Sequence, residues 1–256
     1  MKRSLWMLTL AACALFAAAS AQDPLKVAPQ AYKLEFENEW VMVTRVHYGP
    51  REKISEHDHT ERSSAYVYLN DGGPIIFKHI NLPYADITRK ETKAGSFRVY
   101  KGLKEVHAVE NPTDIPSDFL RVEFKTEPVN DKSLHGKFYR EPYPPGENFR
   151  KVQFENEQIR ITRLVIAARG EMDVSANATE PALLVALTPA RLEARGRKIK
   201  TARVNLEPGK THWLGINQQQ QLKNAGENDA ELLRFEFKTR PVAGQSKPHD
   251  HDHSRY

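Results

Sequence analysis

Phe36-Glu37-Asn38-Glu39 recurs 118 residues later as Phe154-Glu155-Asn156-Glu157, and Thr44-Arg45-Val46 recurs at the same offset as Thr162-Arg163-Leu164. A third match sets Phe124-Lys125-Thr126 and Pro128-Val129 against Phe237-Lys238-Thr239 and Pro241-Val242, at an offset of 113. Three matches in one order, each opening or closing a strand-like run, indicate an internal duplication whose second copy is five residues shorter in its middle. A unit of this length is a whole domain rather than a solenoid repeat.

Within each copy the residues alternate. Val41, Val43 and Arg45 alternate with Met42, Thr44 and Val46, and Ile159 and Ile161 alternate with Arg160 and Thr162. Leu120, Val122 and Phe124 point one way while Arg121, Glu123 and Lys125 point the other, and Leu233, Phe235 and Phe237 repeat the apolar stripe. This period of two predicts half-buried strands and assigns the charged stripe to a solvated face. Ala65–Leu69 and Leu183–Leu187 read as more fully buried strands, and Asn70-Asp71-Gly72-Gly73 as a turn. No window of three helical turns stands out. The expected class is all-β, a sandwich or barrel.

The ends carry other signals. Lys2 and Arg3, the apolar run from Ser4 to Ala18, and Ala19-Ser20-Ala21 predict a secretory signal over residues 1–21, and hence a periplasmic or secreted protein. Leu10-Ala11-Ala12-Cys13 also resembles a lipoprotein box, which would anchor the chain through Cys13. Cys13 is the only cysteine, so the expected mature chain forms no disulfide and uses no thiol chemistry. The net charge of +5 is mild and alternates in sign, unlike a nucleic-acid footprint. After the leader no apolar stretch is long enough for a membrane span. Residues 30–129 are read as the first domain, 130–148 with its prolines as a linker or strap, 149–243 as the second domain, and 244–256 as a disordered tail. Within the tail, His249, His251 and His253 alternate with Asp250 and Asp252, a metal-binding composition.

His57-Asp58-His59 precedes a strand-like run. On an extended segment residues two apart share a face, so both imidazoles can reach one ion at bonds of about 2.0–2.1 Å. His107, in His107-Ala108-Val109-Glu110-Asn111, is a candidate third ligand. His47, His79 and His135 lie in no motif and read as ordinary surface or core histidines.

Two motifs resemble those of cupins: Gly49, His57, His59 and Gly72 for the first, and Gly102, His107 and Asn111 for the second. With the repeat, the chain resembles a bicupin. The resemblance implies two tandem antiparallel jelly-roll barrels. It implies one divalent metal (Fe, Mn, Zn or Ni) inside the barrel, a small-molecule ligand, and a homodimer formed through sheet faces. The pattern departs at the motif glutamate, whose place falls at Ser63 or Ser64; Glu61 is the nearest carboxylate and the candidate fourth ligand. In the second copy the three histidine positions fall at Ser175, Asn177 and Gln220, while Asn224 answers Asn111. Polar replacements at all three predict a second pocket without a metal. The expected function is a metal-dependent enzyme of dioxygenase or isomerase class. The alternative is a non-catalytic periplasmic module that binds a sugar or other small molecule, or serves assembly.

Overall fold

The computed structural model describes residues 23–80, 86–129, 131–196 and 199–244. The expected leader, Cys13 and the His249–His253 tail lie outside them. A single helical turn, α1 (Pro24–Val27), begins the described chain. Ten strands follow in the first half: β1 (Tyr32–Glu37), β2 (Val41–Tyr48), β3 (Lys53–His59), β4 (Ser64–Tyr68), β5 (Ile75–His79), β6 (Asp86–Arg89), β7 (Phe97–Tyr100), β8 (Glu105–Glu110), β9 (Ser117–Phe124) and β10 (His135–Phe138). Nine form the second: β11 (Phe149–Glu155), β12 (Ile159–Ile166), β13 (Glu171–Asp173), β14 (Ala182–Ala186), β15 (Ala190–Gly196), β16 (Ile199–Leu206), β17 (Thr211–Leu214), β18 (Gln221–Asn224) and β19 (Ala230–Phe237).

The first half packs a six-stranded sheet, β1-β2-β9-β4-β7-β10, against a four-stranded one, β3-β8-β5-β6. The second packs β11-β12-β19-β14-β17 against β13-β18-β15-β16. Apart from β10 the two orders correspond strand for strand, and the strands pair antiparallel, giving two tandem jelly rolls. Smaller features repeat as well. The bulge between Leu34 and Phe36 recurs between Val152 and Phe154. Arg51 and Arg169, 118 apart, both take a left-handed turn conformation, with φ of 57° and 64°. From that turn Arg51 binds the Asp114 carboxylate and the Pro112 carbonyl, while Arg169 binds Glu227 and the Ala225 carbonyl.

The two large sheets pack on each other. Val41, Val43, Ala65, Val67, Leu120, Val122 and Phe124 share one apolar layer with Ile159, Ile161, Leu183, Val185, Leu233, Phe235 and Phe237. Each Val, Leu, Ile or Phe among them contributes about 1.5–3 kcal/mol by leaving water. The expected linker joins this layer. β10 pairs with β7 from His135↔Tyr100 to Phe138↔Phe97, and the Phe138 ring stacks on Phe97 at 4.8 Å and meets Phe154 edge-on at 5.7 Å.

This layer corrects the reading of the charged stripe as a solvated face. Arg121, Glu123 and Lys125 are buried, at 6%, 2% and 1% exposure. With the apolar stripe of β9 turned to the other half of the chain, the opposite stripe faces inward; Arg121 and Glu123 line the interior of the first jelly roll. Both faces of the sheet are covered, and the polar face lines a cavity. The interior of the second jelly roll is instead filled by Leu164, Ile166, Met172, Val174, Leu184, Leu192, Leu222 and Leu232.

Candidate metal centre

β3 reaches the site through a bulge. Ile54 pairs with Val109, yet His57 pairs with His107, so Ser55 and Glu56 together stand opposite the single residue between them. Ile54 faces the core. Strict alternation from Ile54 would aim Asp58 inward and both histidines outward. The extra residue reverses that phase and turns His57 and His59 into the barrel. The bulge also binds the ring it re-aims: His57 Nδ1 lies 2.8 Å from the Ser55 carbonyl oxygen. A carbonyl only accepts, so Nδ1 carries the hydrogen and Nε2 keeps its lone pair.

His107 stands on β8 between its register partners His57 on β3 and His79 on β5, and Glu105, two residues earlier, faces His59. A row of three histidines thus crosses the sheet. The ring centroids of His57, His59 and His107 lie 4.8–5.0 Å apart. One nitrogen from each lies within 4.8 Å of the others. Both His107 nitrogens are buried with no hydrogen-bond partner. Buried donor and acceptor atoms are normally satisfied. A convergent set of imidazoles around such an orphan fits a borderline divalent ion.

A second group, His79, Glu105 and His107, shares His107. The Glu105 carboxylate lies 3.6 Å from His107 Nδ1 and 3.9 Å from His79 Nε2. A neutral imidazole offers one lone pair. With Nδ1 turned to Glu105, His107 presents Nε2 for coordination, and Glu105 becomes the carboxylate that orients it. The sequence reading omits Glu105, although Glu105-x-His107 repeats the spacing of His57-x-His59, and takes His79 for an ordinary surface or core histidine.

Glu61 is placed elsewhere. It is exposed, two residues beyond the end of β3, and lies at the mouth of the cavity rather than in either group. At the expected glutamate position, Ser63 and Ser64 are buried and bind the Lys101 and Arg62 carbonyls. Gly102 packs against this same turn at φ +74°, where an added Cβ would stand 2.2 Å from the Arg62 oxygen, so no other residue fits there. Asn111 is a scaffold: its amide donates to the Gly49 and Ile115 carbonyls and its oxygen accepts from Thr113, while Asn224 ties Ile166, Asn228 and Gly226 in the second copy.

The other residues predicted to line a second pocket do not converge on one. Asn177 is exposed and caps the turn to Thr179 and Glu180. Ser175 donates to Asp173 and accepts from the Gln220 backbone, and the Gln220 side chain binds His212 and Gln218. The apolar filling of this half occupies the space such a pocket would need.

In the first half the interior stays open. One cavity of about 540 Å³ and another of about 330 Å³ share Tyr32, His59 and Arg121. Arg121 pairs with Glu123 at 3.2 Å, its Nε is buried without a hydrogen-bond partner, and its guanidinium lies 5.9 Å from the Tyr66 ring centroid. Arg98 covers Tyr66 at 4.4 Å, and Arg89 covers Phe119 at 5.1 Å. The wall is aromatic and cationic. The counterpart of Arg121 at the 113 offset, Arg234, is bound instead by the Val174 and Ser175 carbonyls and by Glu236.

Burial, then neighbouring cations and histidines, keeps the imidazoles neutral. His59 is held well below the ordinary histidine value by burial and by Arg121, and His107 falls to about 2 through burial, His57 and His79. His57 is lowered by burial as well. In the unfolded chain each titrates near 6.5. Below that pH the unfolded state binds protons that the folded metal-free state refuses, so stability is present above about 6.5 and is lost as pH falls. The loss approaches about 1.4 kcal/mol per pH unit for each imidazole that stays neutral. Thermal melts of metal-free protein from about pH 7.5 to 5 should show this decline; a melting temperature flat across that window contradicts neutral imidazoles.

No protein-family model and no curated protein matches the chain. Solved structures do. Oxalate decarboxylase from Lactobacillus farciminis, in a formate complex, superposes with a TM-score of 0.55 at 10% identity over 80% of this chain and 78% of that one. Salicylate 1,2-dioxygenase from Pseudoaminobacter salicylatoxidans, in its gentisate adduct, gives 0.52 at 13% over 78% and 69%. A cupin 2 conserved barrel domain protein from Leptotrichia buccalis gives 0.50 at 12% over 81% and 87%. At these identities the likeness is one of fold.

Proposed function

We propose that this chain, which has the bicupin fold, is an exported metal-dependent enzyme of dioxygenase or isomerase class, acting on a small anionic molecule in its first barrel. His57, His59 and His107 would hold the ion, with Glu105 orienting His107. A divalent ion held on three imidazoles supplies Lewis acidity with coordination positions left open for a substrate. The observation that carries the reading is the convergence of three imidazoles, those of His57 and His107 buried and that of His59 half-buried, on an open cavity in one copy only, while the other copy is filled.

Arg121 indicates the class of substrate. Its charge is buried, and one of its donors is unpaired at the wall shared by both cavities. Burying a cation is costly unless something pairs it, and Glu123 supplies only part of that pairing. A substrate carboxylate would supply the rest, beside Arg89 and Arg98. The names of the similar structures speak of oxalate, formate, salicylate and gentisate, all small carboxylates. The basic start, apolar run and Ala19-Ser20-Ala21 of the sequence support export.

Calorimetric titration of the metal-loaded protein with oxalate and with salicylate tests this, with glucose as the neutral control. At least one carboxylate binds, and Arg121→Gln weakens it by about tenfold or more, the worth of a hydrogen bond to a charged group; Arg121→Lys keeps part of it. Binding of glucose that is equally tight with and without metal would instead favour the non-catalytic binding module.

A further inference from the structure

The proposed centre has three nitrogen ligands and lacks the motif glutamate. We infer that the phenolic oxygen of Tyr32 is its fourth protein ligand. The inference rests on the metal reading above and adds to it.

Tyr32 opens β1, is buried at 3% exposure, and lines both cavities. Its hydroxyl lies 2.9 Å from Nε2 of His57. Nδ1 of His57 is committed to the Ser55 carbonyl, so Nε2 is the coordinating nitrogen, and the Tyr32 oxygen stands directly beside it. Two atoms bound at right angles to one ion, each at about 2.0–2.1 Å, stand about 2.8–3.0 Å apart. The hydrogen-bonded separation of 2.9 Å already matches that spacing, so the oxygen needs little movement to become a neighbouring ligand. The ring also lies 5.1 Å from the His57 ring and 6.1 Å from that of His59.

The second copy supplies an independent observation. At the 118 offset Tyr32 becomes Arg150, which is exposed and donates to the Asp173 carbonyl. The phenol is absent from the copy that also lacks all three histidines, whereas the scaffold asparagine and the αL arginine are present in both. Tyr48, whose hydroxyl is 2.6 Å from that of Tyr32, becomes Ile166.

In the metal-free state the Tyr32 O–H donates to Nε2. As a ligand, the Tyr32 oxygen would give up its hydrogen bond to Nε2 and lose its proton to solvent, the freed electron pair of the O–H bond being the one offered to the ion. Tyr48, which already donates to the Tyr32 oxygen because the Tyr32 hydrogen is spent on Nε2, would keep that bond to the phenolate. Charge-assisted donation of this kind is the stronger sort of hydrogen bond.

Ferric iron is a suitable probe, because a phenolate bound to it gives a visible charge-transfer band that imidazoles do not. The full-length protein loaded with one equivalent of ferric iron shows the band. Tyr32→Phe still takes up iron but loses the band, and its affinity falls by more than about tenfold, the lower bound for losing a supporting residue. Tyr48→Phe keeps the band and shifts it. If the wild type binds one equivalent without a band and Tyr32→Phe binds as tightly, the phenol only caps His57, and this inference fails while the three-histidine reading stands. If the wild type takes up no iron at the histidines, both fail together.

Discussion

Substituting His57 and His59 together by alanine abolishes stoichiometric metal binding, with a loss of affinity beyond about a hundredfold. Outer residues that merely orient a ligand typically cost about 10–100-fold when removed, so two direct ligands set a larger loss. The same scale separates the two overlapping triads. Glu105→Gln and His79→Ala should retain one equivalent with affinity lowered within that range, because they stand on the Nδ1 side of His107. Should those two variants lose the metal while the His57/His59 pair keeps it, the ion belongs to the His79–Glu105–His107 triad. Full retention in the double variant would instead move it to the His249–His253 stretch. Elemental analysis of purified protein, with thermal melts to confirm folding, decides among these.

The largest stability effect is expected far from the metal. Glu231→Ala should cost about 3–5 kcal/mol. The side chains of Arg163 and Glu231 form an ion pair at 0% and 1% exposure. Arg163 also binds Gln153 at 2.8 Å and, across the interface, the Gly95 carbonyl at 2.6 Å, while Arg140 approaches Glu231 at 2.6 Å. Removing the carboxylate leaves a buried guanidinium with only neutral partners. The molecule carries its own control. Arg45 and Asp118 occupy the corresponding positions, and Arg45 reaches the Pro208 carbonyl as Arg163 reaches that of Gly95. That pair is 32% and 20% exposed, so Asp118→Ala should cost about 1 kcal/mol, near the upper end for pairs open to solvent. Equal costs in denaturant unfolding would show that burial is not what sets these energies.

The duplication, the all-β class and the histidines were legible because each leaves a local signal. The offsets of 118 and 113 hold in the structure down to the bulges and the αL arginines. His57-x-His59 reads as one face because the strand is extended. The phase of that face could not be read, since a bulge at Ser55 and Glu56 decides it. The stripe Arg121-x-Glu123-x-Lys125 was misread because alternation reports two faces without saying what covers the polar one. Water, the usual answer, is here replaced by a cavity and a second sheet. Tyr32 and Glu105 were missed, and His79 was set aside as an ordinary histidine, because each belongs to the site only through pairing between strands distant in sequence. A subtraction of the two copies would have exposed some of them: Tyr32, Tyr48, Tyr66 and Tyr68 fall against Arg150, Ile166, Leu184 and Ala186. Ser175, Asn177 and Gln220 are polar for local reasons, a turn cap and a hydrogen-bond chain, and polarity alone did not distinguish these from a lining.

The apolar layer between the two large sheets makes the chain behave as a dimer whose subunits share one thread. The half without the histidines is a permanent partner that holds β2, β4 and β9 from behind. The front of those same strands presents Met42, Tyr66, Arg121 and Glu123 to the cavities. A side chain shortened on the back, at Leu233 or Phe235, would therefore be felt at the front as a shift in where the guanidinium meets its ligand. Natural variation in the silent copy can tune the working one without touching it.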